Sequence, residues 1–214
     1  MSLQEQISHM QQQMIKQIPS EVLDTLMNAK AQMVSEKPET NALKEGDRIP
    51  YFKLYRHDAE LVDVADVLQE KNLVISFYRG TWCPYCNIEL HSLIDCYPAI
   101  KQAGAELIAI SPELPDQSMS YIEKKQIPFQ VLSDPGNLVA KKFALVIHLS
   151  EVLQEVYKGF DFDLVNKNGD LNWNLPIPAT YLVTHDGIIH YAYINSDYTQ
   201  RMEPDDIIRE LQLL

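Results

Sequence analysis

The sequence predicts an α/β fold, a central mixed sheet flanked by helices, with an N-terminal helical extension. Three observations predict it. Short apolar runs rich in β-branched and aromatic residues, at 73–78 and 106–110, read as buried strands. Between them the period turns helical over 87–101, with Leu90, Leu93, Ile94 and Tyr97 at i, i+3, i+4 and i+7. Two alternating segments, 179–184 and 188–194, meet at His185-Asp186-Gly187, a hairpin signal.

The remaining elements follow in chain order. Over residues 1–35, Leu3, Ile7, Met10 and Met14 line one helical face. Pro19 interrupts, and Ser20-Glu21 restarts a helix carrying Val22, Leu23, Leu26 and Met27. This arm is expected to pack on the main domain or to serve as a homodimer contact. The polar stretch 36–41 is the best linker, so residues 1–42 are set apart as an extension and 43–214 as the main domain. Residues 49–55 read as a short edge segment. Pro98 is expected to kink or end the helix that begins near residue 87. A helix over 115–126 and a strand at 129–132 lead to Ser133-Asp134-Pro135-Gly136, followed by a helix over 137–144. Residues 148–174 read as irregular, with an Asn168-Gly169 turn. Residues 203–213 close the chain as an amphipathic helix, with Ile207, Ile208, Leu211 and Leu214 on its apolar side. The first half therefore makes parallel βαβ crossovers, and the hairpin adds antiparallel strands to the same sheet. That is the thioredoxin-like architecture.

Composition narrows the function. The 214 residues are 46% hydrophobic and 22% charged, enough to bury a core without disulfide staples. A formal net charge of −12 repels phosphate backbones and argues against nucleic acid as a partner. No apolar run has the roughly 18–20 residues a membrane helix needs. The N-terminus is rich in Gln and Met and lacks a secretory-leader pattern. Only three cysteines occur, Cys83, Cys86 and Cys96, which points to a reducing, cytoplasmic setting.

In such a setting a CxxC reads as catalytic or metal-binding. Cys83-Pro84-Tyr85-Cys86 lies between a buried strand and a helix start. A thiolate does the chemistry of such a pair. The unpaired N–H groups of a helix N-terminus stabilise a thiolate. Arg79, four residues before Cys83, adds a permanent cation. Pro84 suits the first helical turn. Two cysteines three apart there can close and reopen a disulfide. The alternative is zinc, since Cys83, Cys86, His91 and Cys96 fit C-x2-C-x4-H-x4-C. On a helix, however, His91 and Cys96 stand about 140° apart and point away from each other. On the redox reading Cys96 is a structural or spare thiol and His91 a surface residue. Pro178 precedes an alternating strand where thioredoxin folds carry a cis proline facing the CxxC; Pro176 is its competitor.

With these residues in view, the chain from about Leu43 onward resembles the peroxiredoxin superfamily, specifically the peroxiredoxin-like proteins of the alkyl hydroperoxide reductase and thiol-specific antioxidant group. The opening segment Leu43 to Phe52, the loop Phe77-Tyr78-Arg79-Gly80 through Cys86, Ile110-Ser111-Pro112, Leu132-Ser133-Asp134-Pro135 and Pro178-Ala179-Thr180-Tyr181 carry the resemblance. Asp197-Tyr198-Thr199 with Arg201 and Glu203-Pro204 is similar to the tail of this subgroup. The resemblance implies a thiol peroxidase with Cys86 at the peroxide-attacking position. Cys83 then stands where the family has Thr, and Arg79 where it has Pro. The family's usual arginine on the strand facing the cysteine has no match in 178–182, and Arg79 or Arg201 is expected to substitute. Pro178, Trp82, Thr81 and Arg201 are implied to position substrate.

The expected reaction is reduction of hydrogen peroxide or an organic hydroperoxide, with Cys83 resolving the oxidised Cys86. A thioredoxin-like or glutathione-linked donor would then restore the pair, and no cofactor or metal is implied. The alternative is a thioredoxin- or glutaredoxin-like thiol–disulfide oxidoreductase in which Cys83 attacks first. A redox-inert adaptor on the same scaffold is the third class.

Overall fold

A computed structural model describes the backbone of residues 1–214 and all side chains except those of Met119, Ser120 and Lys124. Seven strands form the main sheet: β1 (Lys53–Arg56), β2 (Leu61–Asp63), β3 (Asn72–Phe77), β4 (Ala105–Ser111), β5 (Gln130–Ser133), β8 (Ala179–Val183) and β9 (Ile189–Ile194). A separate pair, β6 (Val146–His148) and β7 (Asn174–Pro176), lies outside it. The order across the main sheet is β2-β1-β5-β4-β3-β8-β9. β3 runs parallel to β4, with Asn72 opposite Ala105, and β4 parallel to β5. β8 pairs antiparallel with both β3 and β9, as the closing hairpin requires. The predicted mixed sheet flanked by helices is therefore the fold observed.

β3 shows why this sheet needs cover on both faces. Leu73, Ile75 and Phe77 enter one apolar core with Phe52, Phe143 and Tyr181. Val74 and the adjoining Tyr78 enter another with Leu90, Leu107 and Leu182. Side chains alternate along a strand, so an almost continuously apolar strand feeds two layers at once. The helix α4 (Pro84–Gln102) crosses from β3 to β4, and α5 (Pro115–Lys125) from β4 to β5.

Several expectations need correction. Of the two outcomes expected at Pro98, an end is excluded: α4 runs one more turn to Gln102, as the helical period to 101 predicts. Ile100 is fully buried in that turn, and the Ala103 N–H closes it on Ala99 O, which offsets the hydrogen bond the proline removes. β1 is not an edge strand, because the hairpin partner β2 covers it and is followed by a short helix, α3 (Val64–Glu70). Residues 148–174 are not irregular: α7 (Glu151–Gly159) and α8 (Leu164–Asn168) lie there, after α6 (Leu138–Lys142) and β6. The last helix, α9 (Pro204–Leu211), buries Ile207 and Leu211, but Leu214 lies beyond it and is exposed.

Pro178 also departs from expectation. Among the described residues no peptide bond is cis, so the bond before Pro178 is trans. The chain passes straight from β7 to β8 at this point, held by the Ile177 N–H on Leu145 O at 2.6 Å. An extended passage between two strands needs only the lower-energy trans isomer.

The arm consists of α1 (Leu3–Ile15) and α2 (Ser20–Glu36) and packs on its own chain. Ser2 and Glu5 form a capping box at the start of α1. Leu3 and Gln4 donate their N–H groups to the Glu203 carboxylate, each at 2.9 Å, and Leu3 and Ile7 are buried. α2 has no fully buried residue, and its Lys30 reaches Asp197 at 3.1 Å. No helix among the described residues is long and apolar enough to cross a membrane.

Candidate active site

The site forms where β3 gives way to α4. Tyr78 and Arg79 leave the strand, and Gly80 then adopts φ +142°, a conformation side chains rarely take. A Cβ at Gly80 would lie 2.3 Å from Trp82 Nε1, so only glycine fits the turn. Thr81 is fixed by Glu113, whose carboxylate accepts the Thr81 N–H at 2.7 Å and the hydroxyl at 3.0 Å. Glu113 is fully buried, and burial holds its carboxyl above the usual range despite those bonds. Asn87 closes the loop from the helix side by donating to Thr81 O at 3.0 Å.

Cys83 is the N-cap of α4 and Cys86 lies in its first turn. Both thiols are free and buried, at 1% and 0% exposure. Burial pushes the Cys83 thiol up. Its contact with Cys86, the Arg79 charge, the Cys86 backbone N–H and Arg201 outweigh burial, and the thiol falls to about 6. Burial and the neighbouring Cys83 together push Cys86 well above the ordinary thiol value. The pair thus behaves as one site that loses one proton readily and holds the second.

Two buried guanidinium groups supply the positive field. Arg79 sits in an aromatic cage, its Cζ 4.4 Å from the Tyr198 ring centre, 5.0 Å from Trp82 and 5.6 Å from Tyr157, and it donates Nη2 to the Tyr157 hydroxyl. Trp82 in turn packs on Tyr157 and Phe162. Arg201 donates Nε to Glu89 at 2.8 Å, Nη1 to the carbonyls of Tyr198 and Gln200, and Nη2 to Cys86 Sγ at 3.6 Å. Burial, opposed by Arg201 and reinforced by Cys86, pushes the Glu89 carboxyl up to about 7.

The structure therefore gathers Cys83, Cys86, Arg79, Arg201, Thr81 and Trp82 at one place. Pro178 lies close by, lining a cavity that Arg79 also lines. The other two residues of the zinc motif are not among them: His91 is exposed on α4. Cys96 is half-buried elsewhere on that helix, donating to Leu93 O at 3.6 Å, and burial raises its thiol to about 11. Among the described residues, no three His, Cys, Asp or Glu side chains are grouped to hold a metal ion.

Sequence reasoning missed Glu89, Glu113, Tyr157 and the central role of Tyr198. For Glu89 a signal existed: residues 86, 89, 90 and 93 share one helical face, and a carboxylate in that apolar stripe needs a buried partner.

Comparison with known proteins decides the family. Residues 46–192 match the model of the AhpC/TSA family. The chain belongs to the AhpC/TSA family. It is a peroxiredoxin-type oxidoreductase on a thioredoxin-like fold. It is 25% identical over 172 residues to the chloroplastic peroxiredoxin Q of Populus jackii, covering 80% of this chain and 70% of that one. It is 31% identical over 105 residues to peroxiredoxin Bcp of Escherichia coli K12, covering 49% of this chain and 67% of that one. Among solved structures, peroxidoxin BcpB from Mycobacterium tuberculosis superposes with a TM-score of 0.63 at 18% identity, over 80% of this chain and 98% of that one; this likeness concerns the fold.

Proposed function

We propose that this AhpC/TSA member reduces hydroperoxides with the two electrons of a Cys83–Cys86 dithiol. One observation carries the reading: a buried dithiol at the tip of α4, flanked by Arg79 and Arg201, with Cys83 facing a cavity. The Cys83 thiolate attacks the distal peroxide oxygen, and the O–O bond breaks. Sulfur is oxidised to a sulfenic acid, and the leaving oxygen departs as water or an alcohol after taking a proton. Arg79 stabilises the charge on that oxygen. Cys86, three residues on, then displaces water from the sulfenic sulfur and forms a disulfide. A thioredoxin-like or glutathione-linked dithiol reduces it by exchange. Thr81, Trp82 and Pro178 shape the approach, and Arg201 holds Cys86.

The order of the two sulfurs rests on access. Cys83 lines the cavity and carries the lower thiol value, whereas Cys86 faces Arg201. This reverses the roles implied by the resemblance, and trapping with a sulfenic-acid reagent tests it. In Cys86→Ser, one equivalent of peroxide should leave the adduct on Cys83, and wild type should give a Cys83–Cys86 disulfide. An adduct on Cys86 in Cys83→Ser, with none on Cys83 in Cys86→Ser, would assign the attack to Cys86. Peroxide consumption no faster than by free thiol would end the peroxidase reading.

The same low thiol value at the helix cap favours a second reading, exchange with disulfide substrates. A mixed disulfide trapped through Cys83 in Cys86→Ser, with peroxide turnover absent, would establish it.

A further inference from the structure

The family match begins at residue 46, so it leaves α1 and α2 unassigned. These helices roof a cavity of about 380 Å³ whose floor holds Cys83 and Arg79. Its walls are apolar, with Met14, Ile18, Leu23 and Leu26 from the arm facing Phe160 and Phe162 from the segment around α7. Although the chain carries a net charge of −12, no Asp or Glu lines this cavity among the described residues; its charged groups are Lys30 and Arg79. A second cavity of about 320 Å³ adjoins it and shares Leu26, Lys30, Arg79, Tyr157 and Tyr198.

We propose that α1 and α2 build a binding site for the apolar group of a bulky hydroperoxide, and that Leu26 helps select such substrates over hydrogen peroxide. The inference rests on the peroxidase reading and names its substrate class. Hydrogen peroxide needs little more than the roughly 30 Å³ a water molecule occupies. A chamber about ten times larger, walled by Met, Ile, Leu and Phe, instead gains free energy by taking apolar surface out of water. The reacting end of the ligand would meet Cys83 and Arg79, and its alkyl or aryl group would lie against α2. Attack then yields the sulfenic acid and the corresponding alcohol, which leaves along the same apolar route.

The test uses the full-length reduced protein with cumene hydroperoxide, hydrogen peroxide and the unreactive product cumyl alcohol. The value of kcat/KM should be higher for cumene hydroperoxide than for hydrogen peroxide. Leu26→Gln should lower that ratio by about tenfold, the scale of losing one side chain's apolar contact. Leu26→Met should retain it. Because α2 has no fully buried residue, both variants are expected to fold. Separately, cumyl alcohol should shift the fluorescence of Trp82, which lines the cavity, in a saturable way that Leu26→Gln weakens. A ratio at or below one, or a ratio and an alcohol affinity unchanged in Leu26→Gln, would overturn the proposal. Saturable alcohol binding without turnover of any peroxide would instead end the peroxidase reading and leave the apolar binding site standing.

Discussion

Glu89 and Arg201 form an ion pair with both side chains buried, the carboxylate oxygen 2.8 Å from Nε, and the far end of the same guanidinium touches the Cys86 sulfur. A cation in the core would be costly alone, and above about pH 7, where it is ionised, Glu89 supplies its counter-charge. At about pH 8, removing the acid by Glu89→Ala should cost about 3–5 kcal/mol of stability, because the guanidinium is left buried without its carboxylate. Glu89→Gln keeps an acceptor and should cost less. Urea denaturation of the three reduced proteins measures the order; equal midpoints would refute it.

The same carboxyl predicts a pH dependence. With its value raised to about 7 in the folded chain against 4.5 ordinarily, Glu89 retains in the native state a proton that the unfolded chain releases. Its contribution is therefore fully present below about pH 4.5 and is lost as pH rises through about 7. The stability of wild type relative to Glu89→Gln should fall between pH 5 and pH 7.5. Parallel urea midpoints for the two proteins across that range would contradict the raised value.

Cys83 should be the most rapidly alkylated thiol, with a rate that climbs through a midpoint near 6. Arg79→Gln removes a flanking cation, and its midpoint should move up toward the free-thiol value of about 8.5. Iodoacetamide kinetics followed by peptide mass spectrometry measures both. An unmoved midpoint in Arg79→Gln would assign the depression to Cys86, the helix tip and Arg201.

Gly80→Ala should be disruptive for two independent reasons, the positive φ and the 2.3 Å approach of Trp82 Nε1. We expect a loss of about 1–3 kcal/mol or more, together with altered tryptophan emission as the indole is displaced. Thermal melting and fluorescence spectra of the pair decide it; a melt within a degree of wild type would show that the turn relaxes.

Thr81 is held through Glu113 rather than by its own loop. Glu113→Ala leaves the Thr81 N–H without its carboxylate, and such a loss costs about 1–3 kcal/mol. Peroxide turnover should fall with it, whereas Glu113→Gln, which still presents an acceptor to Thr81, should retain more of both. Stability and turnover that are equal in the two variants would remove Glu113 from the positioning of the loop.

Much of this arrangement was legible in the sequence. The β-branched run at 73–78 and the helical period after Cys86 are local patterns that tertiary packing reinforced, and they place the cysteines at a helix tip. The arm was read in outline from Leu3 and Ile7, which do pack inward. What escaped depends on distant partners. Tyr157 and Arg79 are 78 positions apart, and Arg201 and Cys86 are 115 apart. α7 carried a fair signal, with Ser150 as its cap and Leu153, Val156, Tyr157 and Phe160 at helical spacing; its shortness made the pattern easy to take for a loop. For Pro178 the cis isomer is expected from its place before an alternating strand in a thioredoxin-like fold, and the bond is trans.

Cys96 has a practical use that follows from where it sits. Its sulfur is half sheltered, bonded to a carbonyl one turn back, and stays protonated to about pH 11. With Cys86 also slow to ionise, a reagent selective for anionic sulfur would report on a single position in the unaltered chain. Fluorophores or spin labels could then be installed at the reaction centre without first engineering away the other two thiols.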